Sequence, residues 1–430
     1  MWSTYKEKLS RLSTKLIEAQ KPIRVLDSIK WDSSIEAQLR KSKFKDIPII
    51  GKEYYENIDL GFDPTLKRGE FREISHEIER ELGPDDELGR LLNENVEEYL
   101  RVVDLLAHRG TREFGEISKQ LYGSAKDNFY GDDNTIVELG QLLYGILGRV
   151  ESSGGFRNSF PEELEAEDVV KELNSRFADY FEDDYIRAKI ADGIVADAAA
   201  GSDVVKIKAG CRFSKRDVDI LEVHEGWVHI GTTQNGINQH VAKWLAKGPP
   251  RCASTQEGLA VIMEIMTFRT YPKRARTIND RILGIDKVEE GANILELIEF
   301  YRTEGYSEED ALTNAKRIFR GAPLTGGAAF TKDLSYCRGF IENYNFMRSA
   351  TRAGHPYLLP FLFVGKINID DIPLLYQKYK EGIVDFPKYL PALFKDLSGL
   401  VVWMSFSSFL NQVNLRIVQD HYEKQFEKYL

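Results

Sequence analysis

Sulfur is scarce in this sequence. Its 430 residues include three cysteines, Cys211, Cys252 and Cys337, an odd number set far apart. That spacing excludes a disulfide framework and points to a reducing compartment, here expected to be the cytoplasm. Long hydrophobic runs are also missing. The most apolar stretches, YLLPFLFVG (357–365) and LVVWMSFSSFL (400–410), fall short of the roughly 20 residues needed to cross a bilayer, so no membrane partner is expected. The opening stretch, MWSTYKEKLSRLSTKLIEAQ, is charged every few positions and lacks the apolar segment of a secretory signal. There is no excess of basic charge. With a net charge of −10 and a pI near 5.5, nucleic acid is not an expected partner. No G-x-x-x-x-G-K-[ST] loop, no G-x-S-x-G elbow and no cysteine pair at metal spacing occurs.

What remains is an ordinary globular balance, 42% hydrophobic and 29% charged. The pattern is mostly helical. EFREISHEIERELG and LGRLLNENVEEYLRVVDLLAHRG carry apolar residues at helical spacing and end in glycine. Helical patterns return from residue 240 onward, in STQEGLAVIMEIMTF, NILELIEFYRTEG, SEEDALTNAKRIF and FTKDLSYCRGFIENYNFMRSA. Between them, YIRAKI alternates, Asp192–Gly193 offers a tight turn, and VVKIKAG alternates again after Gly201–Ser202. This reads as a three-stranded antiparallel meander. The expected fold class is therefore α+β, predominantly α-helical, with a small antiparallel sheet. The breaker ESSGGFRNSFP (151–161) suggests an N-terminal helical region at 1–155 and a core at 156–350. A C-terminal helical region at 351–430 would pack on that core.

Beside the sheet, Ser214 and Asp217 have capping-box spacing and predict a helix start. That helix would carry LEVHEGWVHIG, in which His224, Glu225 and His229 form H-E-x-x-x-H. The familiar zinc-peptidase motif has its histidines four apart. Five residues of regular α-helix turn about 500°, so the two rings would point about 140° apart. A π-type turn, with i→i+5 bonding, would bring them to one side, and Gly226 would tolerate the distortion. A zinc peptidase also needs a third protein ligand and an open fourth position. Glu257, on the next predicted helix, completes a His₂Glu order, and Glu225 would be the general base. Alternatives stand beside this assignment. Ser254 and Glu257 match a capping box, and His240 and Glu264 are rival third ligands.

VHEGWVHIGTTQNG followed by STQEGLAVIMEIMTF resembles the family named for its QEGLA motif. Some bacterial members are called flavohaemoglobin expression-modulating QEGLA motif proteins, and the eukaryotic relatives are the microtubule-associated tyrosine carboxypeptidases. RVLDSIKW, RGTREF, VVKIKAG and FTKDLSYCRGF also look like family stretches. The resemblance implies a zinc peptidase with His224, His229 and Glu257 as ligands to one Zn²⁺ and Glu225 as the catalytic glutamate. It also implies removal of a residue, possibly tyrosine, from a peptide or protein C terminus by attack of zinc-bound water.

Such a reaction needs an oxyanion donor and a grip on the terminal carboxylate. Tyr336 and Arg338 are candidates for the first. Arg338, Arg348, Lys206 and Lys208 are candidates for the second, the lysines on a strand that could be an edge open to an extended peptide. The rival class is a non-catalytic regulatory or binding protein whose metal site is structural or lost. A closed structural site would take His240 as its fourth ligand.

Overall fold

The computed structural model describes residues 2–153, 160–182, 185–192, 194 and 196–429. Most of the proposed boundary stretch, residues 154–159, lies outside them, as does Gly193. Helices dominate, and local chemistry sets their ends. In Pro64–Leu82 the Asp63 side chain accepts from the N–H groups of Thr65 and Leu66, Pro64 opens the first turn, and Gly83 follows at φ 93°. Asp86 caps Glu87–Ala107 in the same manner, accepting from Gly89 N–H. The apolar stripe of this helix, including Leu92, Val96 and Val103, meets Leu9, Leu12 and Leu16 from the first helix. Leu259, Ile262 and Met263 of Ala253–Met266 and Phe361 and Phe363 of Pro356–Phe363 join the same core. A second core gathers Ile282, Ile285, Leu297, Tyr301 and Ile318.

As expected, the fold is predominantly α-helical α+β with small antiparallel pairings. β1 (Leu164–Glu165) pairs antiparallel with β5 (Arg212–Phe213). β2 (Arg187–Ala191), β3 (Ala198–Ala200) and β4 (Val204–Lys208) form a second sheet in the order β2-β4-β3. The expected meander is corrected in its connectivity. β3 and β4 are antiparallel, Ala200 opposite Val205, but β2 runs parallel to β4, Arg187 opposite Val204, instead of pairing with β3. β4 takes the middle because Val205 and Ile207 are fully buried against Phe177, Ile186 and Phe213. The outer edge of β2 is closed by Asn174, whose side chain bonds both backbone groups of Ala188 (2.7 and 3.2 Å). No helix among the described residues is long and apolar enough to cross a membrane.

One contact positions the site more than any other. Helices Ala253–Met266 and Ser335–Arg352 cross backbone to backbone at Gly258 and Gly339. A Cβ on Gly258 would stand 1.9 Å from the carbonyl carbon of Gly339, and one on Gly339 would stand 1.8 Å from Ser254 O. Only glycine at both positions permits this approach. Glu257 and Tyr336 lie one and three residues from the crossing, and both face His224.

Candidate metal centre

The helix carrying the histidines begins at Ser214, whose hydroxyl accepts from Asp217 N–H while the Asp217 carboxylate accepts from Ser214 N–H. It runs as α-helix through Lys215–Leu221, widens into a π-helix over Glu222–Ile230 and resumes as α-helix in Gly231–Ile237. The widening is visible in the bond from Gly231 N–H to Gly226 O, five residues back. His224 and His229 consequently come to one side, with ring centroids 4.9 Å apart. Gly226 serves a different end from the one expected. Its φ is not positive, and a Cβ there would stand 2.5 Å from Phe177 Cε1, so glycine admits the Phe177 ring against the helix. Trp227, half-buried, stacks on Tyr180 at 5.6 Å, with the Arg269 guanidinium over its ring.

His224, His229 and Glu257 are the one group of three among the described residues whose ligand atoms converge to hold a metal ion, all within 4.8 Å of one another. Glu257 Oε2 lies 3.6 Å from His224 Nε2 and 3.4 Å from His229 Nε2. It is buried and has no hydrogen-bond partner, whereas Oε1 accepts from Lys332 Nζ at 2.6 Å. An ionised oxygen left so between two imidazole nitrogens is costly unless a cation joins them. The capping-box alternative for Glu257 falls away, because the helix starts at Ala253 and Ser254 Oγ makes no bond.

Electrostatics agree with this geometry. Burial would push His224 down, yet Glu257 and Glu264, with Glu225 beyond them, raise it to about 10. Burial would push Glu257 up, yet Lys332 and His229 hold it well below the usual carboxylate range. Glu264 is likewise held down to about 2, by Arg274 and His224 against its own burial. These carboxylates are therefore ionised and draw positive charge to the centre.

The other predicted residues are placed as follows. Glu264 is no rival ligand to Nε2, since its Oε1 lies 2.7 Å from the opposite nitrogen, Nδ1 of His224. His240 is highly exposed and paired with Asp385 Oδ2 at 2.9 Å, outside the metal-holding group. Glu225 Oε2 accepts from Ala200 N–H at 2.9 Å, which ties the expected base to the outer edge of β3. The Tyr336 ring lies nearly parallel to that of His224, centroids 6.2 Å apart, and its hydroxyl makes no hydrogen bond among the described residues.

The expected carboxylate clamp is not assembled. Arg338 donates to Glu342 at 2.8 Å and faces Asp127, and exposed Arg348 donates to Asn345. Lys206 and Lys208 lie on β4, which is paired on both sides, so the edge-strand expectation for them is corrected.

Two groups escaped the sequence reading. Lys366 reaches back to the π-turn, donating to His229 O (2.8 Å), Thr232 Oγ1 (3.0 Å) and Gln256 Oε1 (2.9 Å), and so ties together the helices that carry His229 and Glu257. Burial lowers its ammonium to about 8. No periodicity marks it; it merely follows an apolar run. Lys332 stands in FTKDLSYCRGF, a stretch whose family likeness was the available signal.

No curated protein matches the chain. Among solved structures, the crystal structure of a putative lipoprotein from Colwellia psychrerythraea is similar, with a TM-score of 0.43 and 12% identity. The match covers 77% of this chain and 66% of that one. A family model described as microtubule-associated tyrosine carboxypeptidase matches residues 37–412. The chain therefore belongs to the microtubule-associated tyrosine carboxypeptidase family, a family of peptidases.

Proposed function

We propose that this chain is a zinc-dependent carboxypeptidase that removes the last residue from a free peptide or protein C terminus. The observation that carries this reading is Glu257 Oε2, buried without a hydrogen bond between the Nε2 atoms of His224 and His229. Two imidazoles and one carboxylate form the donor set of a catalytic zinc, which leaves a further position open. Zinc held there would supply a Lewis acid that polarises the scissile carbonyl and acidifies the attacking water.

The chain's own groups do the rest. Glu225, steadied by Ala200 N–H, takes the proton from the attacking water and returns it to the leaving amine. Tyr336, its hydroxyl not engaged elsewhere, donates to the oxygen on which negative charge develops. His229 is the more open of the two histidines, with 16% of its side chain exposed against 5% for His224, so substrate arrives from its side. The family's description makes tyrosine the first terminal residue to test.

Digestion of a C-terminal peptide library, read by mass spectrometry with and without a chelator, tests the proposal. Expected are products one residue shorter, loss of activity on chelation, and no cleavage of amidated peptides. Internal cuts, or equal cleavage of amidated and free termini, would contradict it.

A further inference from the structure

Next to Tyr336, helix Pro272–Glu289, helix Glu308–Phe319 and Arg320, which ends the latter, bring three arginines to one carboxylate, Asp333. Arg317 and Asp333 are fully engaged with each other, Nε to Oδ2 at 2.6 Å and Nη2 to Oδ1 at 2.9 Å. Arg281 and Arg320 are not. Arg281 is 8% exposed, its side chain makes no hydrogen bond among the described residues, and it reaches Asp333 only as an ion pair at 3.7 Å. Arg320 is 4% exposed, and its side chain has neither a hydrogen bond nor an ion pair among the described residues, only the Phe330 ring beneath it at 5.1 Å. The Nε of each is buried and unpartnered.

An arginine carries five donors and stays charged, so burying two of them without a hydrogen bond is costly unless a further anion answers them. Burial and the neighbouring Arg317 already depress both guanidiniums, Arg320 to about 10. One carboxylate shared among three guanidiniums leaves room in the charge balance for another anion.

The location says which anion. The Arg281 guanidinium lies 5.4 Å from the Tyr336 ring centroid, and that ring lies 6.2 Å from the His224 ring. One aromatic ring thus separates His224 from a guanidinium that makes no hydrogen bond. A peptide residue extends about 3.3–3.6 Å, and its carboxylate and the hydrogen bond to it add a similar length. The terminal carboxylate, one residue beyond the scissile bond, is the anion that the proposed substrate brings to this neighbourhood.

We infer that Arg281, backed by Arg320, is the subsite that binds the free carboxylate at the substrate's C terminus. This assignment rests on the carboxypeptidase reading and replaces Arg338, Arg348, Lys206 and Lys208 in the clamp role. Planar guanidinium suits it, because the fork pairs with both carboxylate oxygens.

The test is a binding titration of the full chain with N-acetyl-L-tyrosine and N-acetyl-L-tyrosinamide. It is run on the protein as purified and again after dialysis against a chelator. The acid is expected to bind at least about tenfold tighter than the amide in both forms. Arg281→Met should remove that preference, Arg320→Met should reduce it, and Arg281→Lys should keep part of it. Melting curves check the fold, and if Arg281→Met does not fold, the Lys and Arg320→Met variants decide. No saturable acid binding, equal affinity for acid and amide, or an unchanged preference in these variants would overturn the assignment. So would inorganic phosphate binding more tightly than the acid, which would mark a site for free anions. Because chelated protein is measured too, a failure here is separable from a failure of the zinc reading.

Discussion

Glu264 Oε1 and His224 Nδ1 lie 2.7 Å apart, and this contact fixes which nitrogen of His224 is turned to the metal-holding group. Glu264 is ionised and can only accept, so Nδ1 keeps a proton, and Nε2 is the nitrogen that would give up its proton to a metal beside Glu257. Arg274 holds the carboxylate in turn, Nη2 to Oε1 at 3.0 Å. Glu264→Gln is therefore expected to weaken zinc binding about 10–100-fold with the first ligands intact. Competition with a chelator of known affinity measures it, and an unchanged zinc affinity would refute the role.

Glu225 holds its carboxylate on Ala200 N–H, not on the metal-holding group. Glu225→Gln should keep fold and zinc content while lowering hydrolysis by about 10²–10⁴-fold. Turnover of a proven substrate at the wild-type rate would move the base elsewhere.

The crossing of Gly258 and Gly339 admits no side chain. Gly258→Ala and Gly339→Ala each drive a methyl into backbone of the opposing helix, which cannot yield as a side-chain tip would. Each should cost about 1–3 kcal/mol or more and displace Glu257 from the histidines. Urea unfolding together with zinc titration reads both effects, and wild-type values for either variant would show that the helices can separate without loss.

Asp333 offers a test by pH. Burial would raise its carboxyl, but Arg317 and Arg281 hold it well below the ordinary range. A depressed folded pKa adds stability that is fully present above the ordinary value of about 4 and is lost as pH falls through the folded one. Asp333→Asn should cost about 3–5 kcal/mol at neutral pH, since it leaves buried guanidiniums unanswered, and should flatten the loss of stability below pH about 4. Urea midpoints from pH 7 down to pH 2.5 check this; parallel curves for wild type and variant would contradict it.

What was legible in the sequence follows the range of the interactions. His224, Glu225 and His229 share one helix, and their spacing alone called for the π-turn that Glu222–Ile230 forms. The Ser214 capping box is just as local. Glu257 is a helix away, and its order after the histidines suggested it. Lys366 and the arginines at 281, 317 and 320 reach the site only through packing between distant segments, and no local pattern announces that. The surroundings of the clamp candidates were hidden for the same reason. Helical spacing does not tell which side of Ser335–Arg352 faces the metal-holding group, and Arg338 turns to Glu342 and Asp127. Lys206 and Lys208 were set in a middle strand by a parallel pairing that alternation cannot reveal.

The central claim is that His224, His229 and Glu257 together hold one zinc. Its most direct test is metal analysis of the purified wild type beside His224→Ala, His229→Ala and Glu257→Gln after equilibration with limiting zinc. The account predicts about one zinc per wild-type chain and a loss of affinity beyond the 10–100-fold of outer contacts in every variant. Full zinc occupancy in all three variants would contradict it.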